Sequence, residues 1–299
     1  MEIYAGKESL IHLLQVTECC SLKRFLFTSL PAFSRQALQT AASDGCCLVD
    51  GEPRLASYKL KRGQTVELKL APEPQRTILA EELPLNVLYE DSDLIVINKA
   101  SGMLVHPTSR ERQGTVANAL LFRWKGLGIR PTFPHRLDRE TSGVLVVAKT
   151  ASATASLALQ FSRRSIQKEY AAIVSGRVSS VREVYAPVGR TGGESPPWQV
   201  RAGGRPALSR IRPVEVSNNF TFIHLEPVTG RTNQLRIHCA AIGHPIAGDC
   251  AYGGAEGVRL CLHAHTLTFE YPNKPEKLSI SAPVPQEFAA FWEMRQISG

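Results

Sequence analysis

His135-Arg136-Leu137-Asp138-Arg139-Glu140-Thr141-Ser142-Gly143 is the densest polar run in this 299-residue chain, and the apolar stretch Val144–Ala148 follows it at once. An apolar run of that length suits a buried strand. The polar run therefore reads as a loop that presents its side chains at the mouth of a strand. A charged carboxylate, Asp138, set between Arg136 and Arg139 fits either a reacting group or an ordinary surface charge network.

A second cluster, Gly230-Arg231-Thr232-Asn233-Gln234-Leu235-Arg236-Ile237-His238, reads as a turn and then a helix from Thr232 to the terminating glycine Gly243. On that helix Asn233, Arg236 and Ala240 share one face, while Leu235, Cys239 and Ile242 share another. Arg236 therefore stands beside the inward stripe. Ile166–Val174 alternates like a strand and sets Lys168 and Tyr170 on one face.

The surrounding pattern predicts more elements. Leu85–Tyr89 and Leu94–Asn98, joined by an acidic turn, predict a β-hairpin. Thr150–Arg163 predicts a helix with Leu157, Ala158 and Phe161 inward, and Thr221–Glu226 predicts a strand. Strands with interspersed helices imply an α+β fold with a mixed sheet. Ala71-Pro72-Glu73-Pro74-Gln75 reads as a linker, because proline fixes φ and biases its neighbour toward extended structure. It separates a small unit, residues 1–75, from a larger one, residues 76–299. In the small unit Ser34 is a candidate N-cap for a helix through Ser43 that ends at Gly45, and Asp50-Gly51 signals a hairpin. Residues 21–70 hold eight Lys/Arg against four Asp/Glu.

Composition narrows the function classes. The net charge of +8 favours a polyanionic partner. No apolar run approaches the ~20 residues of a membrane span, and the first residues lack a signal-peptide core, so a cytoplasmic protein with no membrane partner is expected. The seven cysteines include adjacent pairs, Cys19–Cys20 and Cys46–Cys47, which fit reduced thiols. No glycine-rich phosphate loop is present. His238, Cys239, His244, Cys250, Cys261, His263 and His265 lie close in sequence but lack the paired spacing of a zinc site. Ser142, His135 and Asp138 lie too close together for a hydrolase triad, and Ser142 has no nucleophile elbow.

The motifs taken together are more specific. His135-Arg136-Leu137-Asp138 with Thr141-Ser142-Gly143 resembles the signature of RluA-type RNA pseudouridine synthases. In the order of that family follow Tyr89-Glu90-Asp91, Asn98-Lys99, Lys168-Glu169-Tyr170, the Gly230–His238 run, Gly243-His244-Pro245-Ile246, Gly248-Asp249 and Leu262-His263-Ala264. The likeness covers about residues 80–290, and Leu22–Leu70 resembles an S4 RNA-binding domain. The chain departs from the family at Ala100-Ser101, where proline is usual, at Asn233, where histidine is common, and in Pro187–Arg205.

The resemblance implies the pseudouridine synthase fold, a largely antiparallel mixed sheet with flanking helices. It also implies specific roles. Asp138 is the catalytic carboxylate, Tyr170 stacks on the target base, and Arg236 pairs with Asp138. Arg136 fills the gap left by a flipped nucleotide, and Leu262 lines an apolar wall. His135, Thr141, Gly230 and Arg231 contact substrate. Arg24, Arg35, Lys59, Lys61 and Arg62 of the S4-like unit bind RNA. The expected partner is large-subunit ribosomal RNA first and tRNA second. The enzyme is expected to act as a monomer, with no cofactor and no metal. A non-catalytic RNA-binding protein is the competing reading; binding alone would not require Asp138, Tyr170 and Arg236 together.

Overall fold

The computed structural model describes residues 10–30, 33, 35–43, 46–70, 78–193, 195–255, 259–272 and 274–297. The chain divides into two compact units, Met1–Thr77 and Ile78–Gly299. The expected linker, and Ser34 and Gly45, lie outside the described residues. No described helix is long and apolar enough to cross a membrane.

The first unit comprises β1 (Leu10–Gln15), α1 (Leu22–Ser29), α2 (Arg35–Ser43), β2 (Cys47–Val49), β3 (Glu52–Pro53) and β4 (Thr65–Leu70), with strand order β1-β4-β2-β3. Ser21 caps α1 by accepting the Arg24 amide, and Leu22, Phe25 and Leu26 fall on its buried face at helical spacing. Asp50 and Gly51 both take positive φ, 51° and 83°, which is the conformation a two-residue hairpin requires.

The second unit comprises β5 (Asn86–Glu90), β6 (Leu94–Lys99), α3 (Val116–Arg123), β7 (Ser142–Ala148), α4 (Ala151–Arg163), β8 (Gln167–Ser175), β9 (Arg182–Tyr185), β10 (Val188–Arg190), β11 (Trp198–Val200), β12 (Leu208–Val216), β13 (Phe220–Pro227), α5 (Gln234–Ala241), β14 (Leu262–Glu270), β15 (Lys277–Ser281) and α6 (Gln286–Ile297). Nine strands form one sheet in the order β5-β6-β7-β14-β8-β13-β12-β9, with β15 also paired to β14. Every pairing in it is antiparallel except β7 with β14. This is the mixed, largely antiparallel α+β fold expected from the sequence.

Side-chain alternation assigns the two faces. Ile95, Ile97, Leu145 and Val147 pack with Val116 and Leu120 of α3, whereas Val96, Val144 and Val146 pack with Ala153 and Leu157 of α4. Within α4 the sequence misplaces one residue. Ala158 is exposed, and Gln160 turns inward instead, where its amide meets both the carbonyl and the N–H of Glu270 at 2.8 and 2.9 Å. A buried amide with both groups bonded escapes the cost that a hydropathy pattern assigns to it.

The sheet forks at Gly143. Strand β7 pairs with β14 only through Ser142–His263 and Gly143–Ala264, after which β15 takes over that edge of β14. Gly143 has φ 113°, and a Cβ there would lie 2.2 Å from the backbone oxygen of Ala264. Gly143→Ala is therefore expected to cost at least about 3 kcal/mol, combining left-handed strain with a backbone clash. Urea unfolding of both proteins tests this; a loss below about 1 kcal/mol would show that the strands can separate freely at the fork.

Candidate active site

One row of the sheet organises the site. Gly143 pairs with Ala264, Ala264 with Tyr170, and Tyr170 with Leu225. Directly paired residues point to the same face, so Tyr170 has a methyl and then a bare glycine beside it on the α3 side. Leu262, two residues before Ala264 and 3% exposed, continues that apolar surface. Burial, and secondarily the charge of Asp138, push the Tyr170 phenol well above its ordinary pKa. Its hydroxyl is thus a donor at neutral pH.

The Asp138 loop reaches this row because a lysine holds it. Lys99, at the end of β6 and 1% exposed, donates to the carbonyls of Ala100, Met103 and Arg139 at 2.7, 2.8 and 2.9 Å. The Gly102 amide also donates to the Arg139 carbonyl, and the Ser101 hydroxyl donates to the Glu140 carbonyl at 2.7 Å. Burial pulls the Lys99 pKa down to about 8, against the opposing charges of Glu140 and Asp138. Leu137 is buried with the α3 core, and the Thr141 amide closes the turn onto the Asp138 carbonyl. Among the described residues no hydrogen bond or ion pair engages the Asp138 carboxylate itself.

Arg236 differs from expectation. Its Nε and Nη2 donate to Asp249 Oδ2 and Oδ1 at 2.7 and 2.6 Å, not to Asp138. The Asp249 side chain is fully enclosed, and a buried carboxylate captures the nearest fork of donors. Burial opposes the Arg236 charge, but Asp249, then Asp138 and Tyr252, raise its pKa further. Asp138 and Arg236 are therefore electrostatic neighbours without a direct ion pair.

The contacts of His135 also differ from a substrate role. Its ring stacks on Phe161 at 4.7 Å, and its Nε2 accepts the Val146 amide at 3.1 Å, where β7 has left β14. Burial pushes its pKa down to about 3, so the ring is a neutral acceptor that substitutes for a strand. Thr141 is buried in the turn, Arg136 and Gly230 are exposed, and Arg231 donates to the Pro206 carbonyl. Gln234, which the sequence does not single out, braces the turn before α5. Its Oε1 accepts from Thr229 and the Arg231 amide, and its Nε2 donates to Leu208 and Ser209. Ser142 faces the opposite side, 2.8 Å from His263 Nδ1. Histidines 238, 244 and 265 bond to separate carbonyls, those of Ala186, Ser175 and Ala282.

An open cleft of about 700 Å³ lies beyond the other end of the loop, with Lys99, Glu140, Ser142, Arg259 and Glu287 among its lining. None of Asp138, Tyr170 and Arg236 lines it. Its Arg259 is committed to the Ser142 hydroxyl at 3.2 Å and to the Phe288 ring.

A family model described as RNA pseudouridylate synthase matches residues 93–241. A Xanthomonas campestris protein named ribosomal large subunit pseudouridine synthase D is 38% identical over 275 residues, covering 86% of this chain and 83% of the relative. The chain belongs to the RNA pseudouridylate synthase family. An uncharacterized RNA pseudouridine synthase of Bacillus subtilis is 34% identical, over 93% of this chain and 95% of the relative. Among solved structures, human RNA pseudouridylate synthase domain containing 1 superposes with a TM-score of 0.59 and 28% identity, over 68% of this chain and 85% of that one. This chain is accordingly an isomerase that acts on RNA.

Lys99→Met removes one donor for each of three buried carbonyls and is expected to cost about 3 kcal/mol in urea unfolding near pH 7. The unfolded chain keeps the lysine proton up to about pH 10.5, while the folded chain releases it near pH 8. Between those values the unfolded state binds more protons, so wild-type stability rises with pH relative to the variant. A stability difference that stays constant from pH 7.5 to 10 would refute the lowered pKa.

Proposed function

We propose that this enzyme isomerises uridines in large-subunit ribosomal RNA, with tRNA as the second candidate, and that Asp138 is its reacting carboxylate. The observation that carries this reading is that Asp138, Tyr170 and Arg236, from three distant segments, are electrostatic neighbours: the Asp138 charge acts on both of the others. The large-subunit assignment is supported by relatives such as the Xanthomonas enzyme, which align with most of this chain.

The reaction breaks the N1–C1′ bond of uridine, turns the uracil and joins C5 to C1′. C5 gives up its proton and N1 takes one up, so the change is isomerisation with no net electron transfer and calls for no redox partner. It needs a carboxylate that can attack carbon or accept a proton, and a slot that keeps the detached base. Asp138, whose carboxylate has no bonded partner among the described residues, supplies the first. The surface formed by Tyr170, Ala264, Gly143 and Leu262 supplies the second. Extruding the uridine from its stack costs a few kcal/mol, and stacking on the Tyr170 ring returns about 1–3 kcal/mol. Exposed Arg136, two residues before Asp138, fills the vacated position in the RNA.

The first unit acts as an S4-like RNA-binding module. Ser21 bridges Lys59, so the α1 terminus bearing Lys23 and Arg24 lies beside the loop bearing Lys59, Lys61 and Arg62. Arg24, Lys59, Lys61 and Arg62 are all exposed, as phosphate contacts require, while the Arg35 side chain lies outside the described residues.

Asp138→Asn should keep RNA affinity and abolish release of tritium from C5-labelled uridine in RNA; near-normal release by the purified variant would end the mechanism. Tyr170→Phe keeps the ring but loses the donor hydroxyl, and should slow single turnover at least about 100-fold. Survival of full activity would reduce Tyr170 to a stacking platform. Replacing Lys59, Lys61 and Arg62 with alanine should flatten the salt dependence of RNA binding by about one unit of slope per lost phosphate contact. An unchanged slope would remove RNA binding from that face.

A further inference from the structure

We propose that Asp249 and Tyr252 are positioning residues for the reaction: together they fix the Arg236 guanidinium by one edge and leave its remaining donors free beside Asp138. This rests on reading Asp138 as the reacting carboxylate.

The segment around Asp249 is built to hold a carboxylate in place. The Asp249 amide donates to the Ile246 carbonyl at 3.1 Å, and its own carbonyl accepts from Tyr252 and Gly254 at 3.1 and 2.8 Å. A Cβ on Gly254 would lie 2.0 Å from the Ile246 oxygen, so only glycine allows this turn to close. Both Asp249 oxygens meet Arg236. The guanidinium lies over the Tyr252 ring, 5.0 Å from its centre. The Tyr252 hydroxyl donates to the Trp198 carbonyl at 2.8 Å and accepts from Asn233 Nδ2 at 3.2 Å, while Asn233 Oδ1 lies 3.4 Å from Arg236 Nη1. Asn233 has φ 54° at the head of α5 and makes no capping bond, so its amide serves this cluster instead of the helix.

A guanidinium carries five N–H donors. Two are fixed on Asp249 and one points to Asn233, which leaves one on Nη1 and one on Nη2 without a partner among the described residues. The charge of Asp138 acts on both Arg236 and Tyr252. A cation held rigidly from behind stabilises charge that develops at the reacting centre without having to move.

Single-turnover rate and RNA affinity of the full-length protein test the proposal, with Asp249→Asn, Arg236→Ala, the double variant and Asp138→Asn. Asp249→Asn should lose about 100-fold in rate, as expected for a misplaced group, with affinity within about threefold of wild type. The double variant should be no slower than Arg236→Ala, because residues that act as a unit are not additive. A wild-type rate for Asp249→Asn, or losses that multiply in the double variant, would overturn the positioning role. If Asp249→Asn does not fold, Tyr252→Phe decides: it removes one oxygen and keeps the ring. A rate loss of about threefold or more at unchanged affinity supports the cradle, and an unchanged rate overturns it. An active Asp138→Asn enzyme would instead overturn the underlying reading, whereas an inactive one beside a fully active Asp249→Asn overturns only this inference.

Discussion

Three carbonyls converge on the Lys99 ammonium, and the position of the Asp138 loop follows from that convergence. A loop between strands lacks the repeating partners that secondary structure provides, so its buried carbonyls need other donors. An ammonium has three, and here three carbonyls take them. The Gly102 amide and the Ser101 hydroxyl then bind the same stretch to the segment that follows β6. Asp138 is thus placed by its backbone. Among the described residues its carboxylate makes no bond of its own.

The pairing of Arg236 with Asp249 complements this. Had Arg236 gripped Asp138 with the same two-pronged geometry, the oxygens of Asp138 would be engaged. With Asp249 taking those two donors, the cation remains an electrostatic neighbour of Asp138 and not its captor. The Tyr170 phenol fits the same balance. Burial and the nearby carboxyl of Asp138 both favour its protonated form, so a hydrogen-bond donor stands near Asp138.

The sequence made the local elements legible wherever one face was apolar and the period was clean. Strands β6 and β7, helix α4 apart from Ala158, and the hairpin β5–β6 all follow from alternation or helical spacing. The cluster that carries Asp138, Tyr170 and Arg236 was legible through the order of its motifs. Its internal pairing was not. Whether Arg236 meets position 138 or position 249 depends on a turn from Ile246 to Gly254 that brings a buried carboxylate back to α5, and no periodicity encodes that approach. His135 was misread for a related reason. It lies in the polar run, but the amide it serves becomes available only because β7 leaves β14, which is a property of the sheet and not of the loop.

The fork connects these features. Strand β7 must touch β14 closely enough to bring the Asp138 loop to the row of Tyr170, and must then depart so that β15 can pair with the rest of β14. Gly143 permits the contact, since any side chain there would enter the Ala264 backbone. His135 makes the departure tolerable by accepting an amide that would otherwise face an apolar neighbourhood. Between Gly143 and Tyr170 the row carries only the Ala264 methyl. A substitution at Gly143 would therefore disturb the fork and the row of Tyr170 together, whereas among the described residues no bond of the fold depends on the Asp138 side chain.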